Sequence, residues 1–295
     1  MSVSSIVLAT VALLPAIALC IFVFKKDRAE KEPVGLLLLL FALGAVICFP
    51  VAGVETLMYS INDVVFSPFI TESGGTKYLD SVPFFFYQVS TNFLCIALVE
   101  EGFKFLVLYL ITHKNKNFNS LFDGVVYAVF VSLGFAALEN IMYSFDYGIS
   151  TALIRAVTAV PGHMFFGVLM GYFYTFWHLN KKCRDTESKL MANGWITSLK
   201  FRDHGKRELV LAMVVPVLVH GFYDFCLSFD STLLSIIFVV FLVGLYVFCF
   251  ARIAKLSNLD CRDEELVVSM LCRSQPGLYE ALSAHRASAQ SNTYN

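Results

Sequence analysis

Seven stretches of this chain are each long and apolar enough to cross a bilayer: about Ser5–Phe24, Val34–Met58, Pro83–Thr112, Leu121–Tyr143, Ser150–His178, Leu209–Leu227 and Thr232–Ile253. A spanning helix needs roughly 20 predominantly apolar residues. In hydrocarbon every backbone polar group must find a partner inside the protein, which leaves helices and closed barrels. Barrel strands are short and alternate in polarity, unlike these runs. The expected fold class is therefore all-α, a polytopic transmembrane helical bundle of about seven spans. Composition agrees, with 57% hydrophobic and only 15% charged residues among 295, where a soluble domain carries about 25% charged. It excludes a disordered chain, a nucleic-acid binder and an ordinary water-soluble enzyme. A net charge of −1 says nothing of partners; the positions of the few charges do.

Most basic residues sit between the runs, and their distribution sets orientation. Lys25, Lys26, Arg28 and Lys31 follow the first run, Lys114 and Lys116 the third, eight lie in the 179–208 connection, and five follow from Arg252 onward. These alternate connections hold 19 basic residues, and the others hold Lys77 alone. The pattern predicts the N-terminus outside and the C-terminus in the cytoplasm of a multi-pass plasma (cytoplasmic) membrane protein. No basic residue precedes the first run and no small-x-small site precedes Lys25, so it reads as a retained helix rather than a cleaved signal. The outer 59–82 connection, with Pro68 and Gly74-Gly75, reads as irregular. The 179–208 connection reads as including a surface helix, 260–272 as a short amphipathic helix and 274–295 as disordered. The eight scattered cysteines predict no disulfides.

Two basic residues, Lys104 and Arg155, fall inside the apolar runs, together with a concentrated acidic and imidazole set. An ionisable residue at the bilayer centre costs at least about 2.5–3.5 kcal/mol and is a functional candidate by default. The third run holds Glu100, Glu101 and Lys104, the fourth Glu139 and Asn140, the fifth Arg155 and His163, the sixth His220 and Asp224. At about 1.5 Å per residue, Glu100, His163 and His220 lie roughly 17–22 Å from the cytoplasmic ends of their helices, and Glu139 roughly 24–27 Å. Glu100 and Lys104 are four apart and share a face, as are His220 and Asp224. Glu101 points about 100° away from Glu100, so the two carboxylates have different roles. Pro161-Gly162 should loosen the helix before His163, and Gly167 and Gly171 continue its face as a stripe that permits close helix approach. That region is also the expected lateral entry for a substrate.

Each feature has a plainer account. A Glu–Lys pair four apart can be mutual neutralisation, and a lone buried histidine is more often a satisfied core residue. Arg155, near the outer end, should snorkel, and Asn140 and Tyr143 fit as glue between helices. Chance clustering of all of them on four consecutive helices is far less plausible. Carboxylate and imidazole in a low-dielectric site support acid–base chemistry on water and stabilisation of an oxyanion. No serine, threonine or cysteine stands in a nucleophile context. Two histidines and a carboxylate could instead hold zinc, with His163, His220 and Glu139 as the ligands, although no H-E-x-x-H is present.

Four ordered patterns carry a resemblance: Glu-Glu-x-x-Lys at 100–104, Phe-x-x-x-Glu at 135–139, His-x-x-x-Gly at 163–167 and His-x-x-x-Asp at 220–224. The chain resembles the PrsW family of intramembrane proteases, within the superfamily of CAAX-protease-like membrane proteins, over about residues 83–227. Lys104 and Glu139 follow the PrsW variant, where the wider superfamily more often has Arg and His. The resemblance implies site-1-type cleavage of a membrane-anchored protein, an anti-sigma factor among the substrates. It implies Glu100 or Glu101 as general base, His163 and His220 as groups that orient water or stabilise the tetrahedral intermediate, and Asp224 at an oxyanion or water-positioning place. Lys104 would neutralise Glu100, Glu139 would help form the site, and Asn140 would support it. A glutamic mechanism needs no cofactor and is preferred; zinc is the alternative. The chain then divides into two helices and an outer loop (1–82), a catalytic four-helix membrane core (83–227), a last transmembrane helix (228–258) and a cytoplasmic tail (259–295). The expected partners are the lipid bilayer and a membrane-anchored protein substrate, with no nucleic acid. A proton-coupled transporter and a non-catalytic membrane scaffold are the competing classes.

Overall fold

The computed structural model describes residues 3–73, 75–201, 205–280 and 283. The chain is helical almost throughout, in the order α1 (Val3–Lys26), α2 (Val34–Val46), α3 (Cys48–Phe66), a hairpin of β1 (Ile70–Ser73) and β2 (Thr76–Leu79), α4 (Ser81–Ser90), α5 (Leu98–Thr112), α6 (Asp123–Tyr147), α7 (Ile149–Val157), α8 (Ala159–Ala192), α9 (Gly205–Leu227), α10 (Thr232–Asn258) and α11 (Asp263–Ser274). Six helical stretches among the described residues are long and apolar enough to cross a membrane, two of them (34–69 and 149–192) built from consecutive helices. The remaining expected run, 83–112, is helical too, but α4 and α5 are separated by a π-helical segment, Thr91–Ala97. The all-α polytopic bundle is thus observed.

α6 is its axis. In the most apolar stretch of α6, 78% of residues are buried, against 11% in α10. α6 packs on α1, α2 and α8, and α8 packs in turn on α9. The Gly167/Gly171 stripe lies in the α6–α8 seam. A Cβ on Gly171 would stand 2.4 Å from the carbonyl oxygen of Gly124, and one on Gly167 2.8 Å from Ser132 Oγ. Close approach is therefore what the stripe provides, and it lies in the interior. α10 instead turns Leu233, Val240 and Val247 outward, as a helix solvated by acyl chains does.

Four local expectations are corrected. The outer connection is ordered, because α3 runs on to Phe66 and the β1–β2 hairpin pairs Ile70 with Leu79 through to Ser73 with Thr76. The fifth run breaks at Thr158 (φ −120°, ψ −70°), ahead of Pro161-Gly162. Pro161 falls in the first turn of α8, where its missing N–H has no intrahelical partner to lose. The short α7 so created is entered through Gly148 at φ 86°, a left-handed conformation that favours glycine. The surface helix expected in the 179–208 connection is the continuation of α8 to Ala192. The amphipathic helix expected over 260–272 is α11. The disorder expected for 274–295 is corrected at its start, where 276–280 are helical, Leu278 is buried and Gln275 donates to Glu187 and to the carbonyl of Ser198; the rest falls mostly outside the described residues. All eight cysteines are free.

At the basic end of the bundle, three connections are tied by carboxylates. Asp260 accepts hydrogen bonds from the backbone N–H of Arg28 (2.9 Å), Ala29 (2.8 Å) and Phe122 (3.1 Å). Asp123 accepts from those of Asn119 (2.8 Å) and Ser120 (2.7 Å). Glu32 accepts from the Tyr127 hydroxyl at 2.6 Å, and Asp27 from the Glu32 N–H at 3.2 Å. Asp27, Glu32 and Asp123 are all buried.

Candidate functional site

The other end of α6 faces a cavity of about 260 Å³, and the sequence-predicted residues converge on it. Glu100, Glu139, His163, His220 and Asp224 line it. Glu101 and Lys104 lie behind the wall, fully buried. Four helices, α5, α6, α8 and α9, supply these groups, and local structure explains how they meet. The π-helical segment before α5 widens the helix by a residue per turn, a feature frequent at functional sites. Its Asn92 exchanges hydrogen bonds with Ser228 beyond the end of α9, at 2.8 and 3.1 Å. Gly221 lets α9 close onto it, since a Cβ there would meet the Phe93 ring at 2.5 Å. His220, one residue earlier, is thereby held against Glu101.

Lys104 is the hub. Its Nζ donates to Glu100 Oε2 at 2.8 Å, to Glu101 Oε1 at 2.8 Å and to His163 Nδ1 at 3.2 Å. It also stands 4.1 Å from the Phe135 ring centroid, within cation–π range. An ammonium group has no acceptor, so His163 Nδ1 accepts and its proton is on Nε2, which donates to Glu139 Oε2 at 2.9 Å. The same Glu139 oxygen takes Arg155 Nη2 at 2.8 Å. A continuous relay therefore runs Glu100–Lys104–His163–Glu139–Arg155, alternating negative and positive around a neutral imidazole. His220 is placed differently. Its Nδ1 is 3.0 Å from Glu101 Oε1 and its Nε2 3.2 Å from Asp224 Oδ2. Both contacts become hydrogen bonds together only if the ring carries two protons or one carboxyl carries one. Phe166 stacks on that ring, centroids 4.6 Å apart.

The two glutamates are unequally placed, with Glu100 on the cavity wall and Glu101 behind it. Asn140 takes the glue role, donating from Nδ2 to the carbonyl of Ala12 on α1 at 2.9 Å. Arg155 is a correction, because it turns inward to Glu139 and lies over Tyr143 at 4.0 Å instead of snorkelling. Glu55 and Tyr59, on α3 and outside the expected core, also line the cavity. Glu55 carried a signal as the sole ionisable residue of its run, and Arg155 as an intramembrane cation. The π-helical segment had none, since its residues are as apolar as an α-helix requires.

Metal-ligating types do gather here, with one donor atom each from Glu100, Glu101, His163 and His220 lying within 4.8 Å of one another. Zinc needs such atoms at about 2.0–2.2 Å with free lone pairs. Three of the four groups instead point at Lys104 Nζ, and His220 is engaged at both nitrogens. One donor atom, Glu101 Oε2, is buried without a hydrogen-bond partner. A single free oxygen does not offset an ammonium hydrogen-bonded to the same ligands. As arranged, the set does not fit a metal ion.

Residues 32–251 match the family model described as PrsW family intramembrane metalloprotease. The chain is 33% identical over 241 residues to Protease PrsW of Oceanobacillus iheyensis, covering 82% of this chain and 92% of that protein. It is 32% identical over 214 residues to Protease PrsW of Bacillus subtilis (72% and 79%). It is 29% identical over 253 residues to Protease PrsW of Halalkalibacterium halodurans (86% and 98%). No solved structure matches.

Proposed function

The chain belongs to the PrsW family of intramembrane proteases, and from that premise we propose that it hydrolyses a membrane-anchored protein by glutamate-activated water. The observation that carries the reading is the position of Glu100, on the cavity wall with one oxygen held by Lys104 and the His220 ring beside it. Glu100 takes a proton from a water in the cavity. The resulting hydroxide attacks the scissile carbonyl carbon, and the carbonyl oxygen becomes an oxyanion. His220 Nε2–H turns from Asp224 to donate to that oxygen. Glu100 then passes its proton to the leaving amine as the C–N bond breaks, releasing a new carboxyl end and a new amino end. Glu101 fixes His220 from behind. His163, engaged at both nitrogens, positions Glu139 and Lys104 and does not contact water directly.

The cavity mouth supports site-1-type cleavage. Tyr59, Tyr143 and Asp224 line it near the ends of α3, α6 and α9, the ends that lead into the hairpin and the two connections without basic residues. By the positive-inside rule that face is extracytoplasmic and the N-terminus is outside. The substrate is thus cut near the outer leaflet of the plasma membrane, and a membrane-anchored anti-sigma factor is the first class to test. Residues 83–227 form the catalytic core, to which α3 adds a wall.

The test compares membrane-protein fragments by N-terminal sequencing in cells expressing wild type, Glu100→Gln, Glu101→Gln or His163→Ala. General base catalysis is worth about 10²–10⁴-fold, so fragments made by wild type should fall by at least about 10²-fold in Glu100→Gln at equal protein level. Undiminished cleavage in all three variants would sink the reading.

A further inference from the structure

The family description speaks of a metalloprotease, and the geometry around Lys104 disagrees. We propose that Lys104 is the resident cation of this centre, with its ammonium in the seat a metal ion would need. The native protein then works without a metal, and removal of Lys104 turns the same carboxylate–imidazole set into a transition-metal site.

Three observations converge. First, Nζ makes three contacts, matching its three N–H bonds, and all three go to groups of the candidate ligand set: Glu100 Oε2 and Glu101 Oε1 at 2.8 Å, His163 Nδ1 at 3.2 Å. The lone pairs a metal would take are already engaged. Second, Lys104 is fully buried and reaches the seat from the same helix as both glutamates. The i,i+3 and i,i+4 spacings bring its ammonium to both carboxylates without crossing the bundle. Third, the surroundings share two features with a metal site. His163 donates its far nitrogen to Glu139, the carboxylate–histidine arrangement that orients metal ligands. Glu101 Oε2 is a buried oxygen with no partner.

Lys104 therefore acts through Glu100, as a positioning residue. It supplies one fixed positive charge beside the base, where a metal would supply two and would compete for the proton acceptor. With the side chain shortened to alanine, Glu100, Glu101 and His163 Nδ1 face an empty seat, with His220 Nδ1 beside Glu101.

The experiment uses full-length protein in detergent: wild type, Lys104→Ala and Lys104→Arg. Each is incubated with zinc or cobalt(II), gel-filtered and assayed for bound metal. Wild type and Lys104→Arg should retain no stoichiometric metal. Lys104→Ala should retain one equivalent, and its cobalt form should gain visible d–d absorption. Stoichiometric metal on wild type, or a folded Lys104→Ala that stays metal-free, overturns the proposal. If Lys104→Ala does not fold, the melting temperature of wild type decides. No shift with excess zinc or chelator supports the assignment, and a chelator-dependent drop overturns it. The readout does not depend on proteolysis, although the claim of metal-free catalysis rests on the proposed function. Metal-free wild type that cleaves nothing counts against the protease reading alone, whereas a metal-loaded wild type with Glu100-dependent cleavage counts against the lysine seat alone.

Discussion

α6 carries a carboxylate held by interior partners towards each end, buried Asp123 and partly buried Glu139, and the two are accommodated in opposite ways. Around Glu139, negative charge is met by full positive charge, with Arg155 at 2.8 Å and Lys104 one imidazole away. Around Asp123, the partners of Asp27, Glu32, Asp123 and Asp260 are backbone N–H groups and hydroxyls. The nearest cation there, Lys31, gives its Nζ to the carbonyls of Phe24 and Asp27. Burial pushes Glu32 up to about 9 and Asp27 up to about 6, so Glu32 keeps its proton at neutral pH. The first group borders a cavity. Counter-ions let a carboxylate stand at a surface where a reactant can enter. Protons and amides suffice where the task is to hold loops together.

That contrast can be broken by mutation. The largest effect on cleavage should come from Arg155→Met. Removing one partner of a buried ion pair costs about 3–5 kcal/mol. The lower end is expected, because Arg155 and Glu139 keep 16% and 17% side-chain exposure. Cleavage should fall with stability, measured by chemical unfolding in detergent beside fragment production. Full activity at wild-type stability would show that the cation is dispensable.

Asp123→Ala comes next. It strips acceptors from Asn119, Ser120 and the Ser120 hydroxyl, and each unsatisfied buried donor costs about 1–3 kcal/mol. Activity per folded molecule should not change. If cleavage falls more than the folded fraction, the two ends are coupled and the comparison fails.

Smallest is Glu32→Gln. The folded-state pKa of Glu32 is raised from 4.5 to about 9, so the fold binds this proton more tightly than the unfolded chain does. The associated stability is complete below the unfolded value and is lost as pH climbs through the folded one. Wild type should therefore melt progressively lower from neutrality towards about pH 9, with Glu32→Gln showing a flatter profile; parallel profiles would remove Glu32 as the cause.

The architecture was legible because hydropathy is additive along a helix, and six of the expected runs appear among the helical stretches long and apolar enough to cross a membrane. The reactive set was legible because charge inside an apolar run is conspicuous. What periodicity could not supply was distance between helices. The pairing of His163 with Glu139 and of His220 with Glu101 crosses 24 and 119 residues. Arg155 was misjudged because depth along a helix does not reveal whether a side chain faces lipid or the interior, and its partner Glu139 lies on another helix. Glu55 was passed over for the same reason. The hairpin was missed because four-residue strands, nearly all exposed, leave no hydrophobic alternation to read.

The π-helical segment has a consequence for how this chain tolerates change in length. A wide turn is an α-helix that has absorbed one extra residue, and everything after it is rotated by about 100° relative to an uninterrupted helix. Deleting any one residue from 93–97 would leave hydropathy and helicity nearly intact. It would nevertheless turn Glu100, Glu101 and Lys104 off the face that meets His163 and His220, while Asn92 stayed tethered to Ser228. The candidate centre is thus keyed to a residue count within one helix, a kind of information that neither composition nor polarity records.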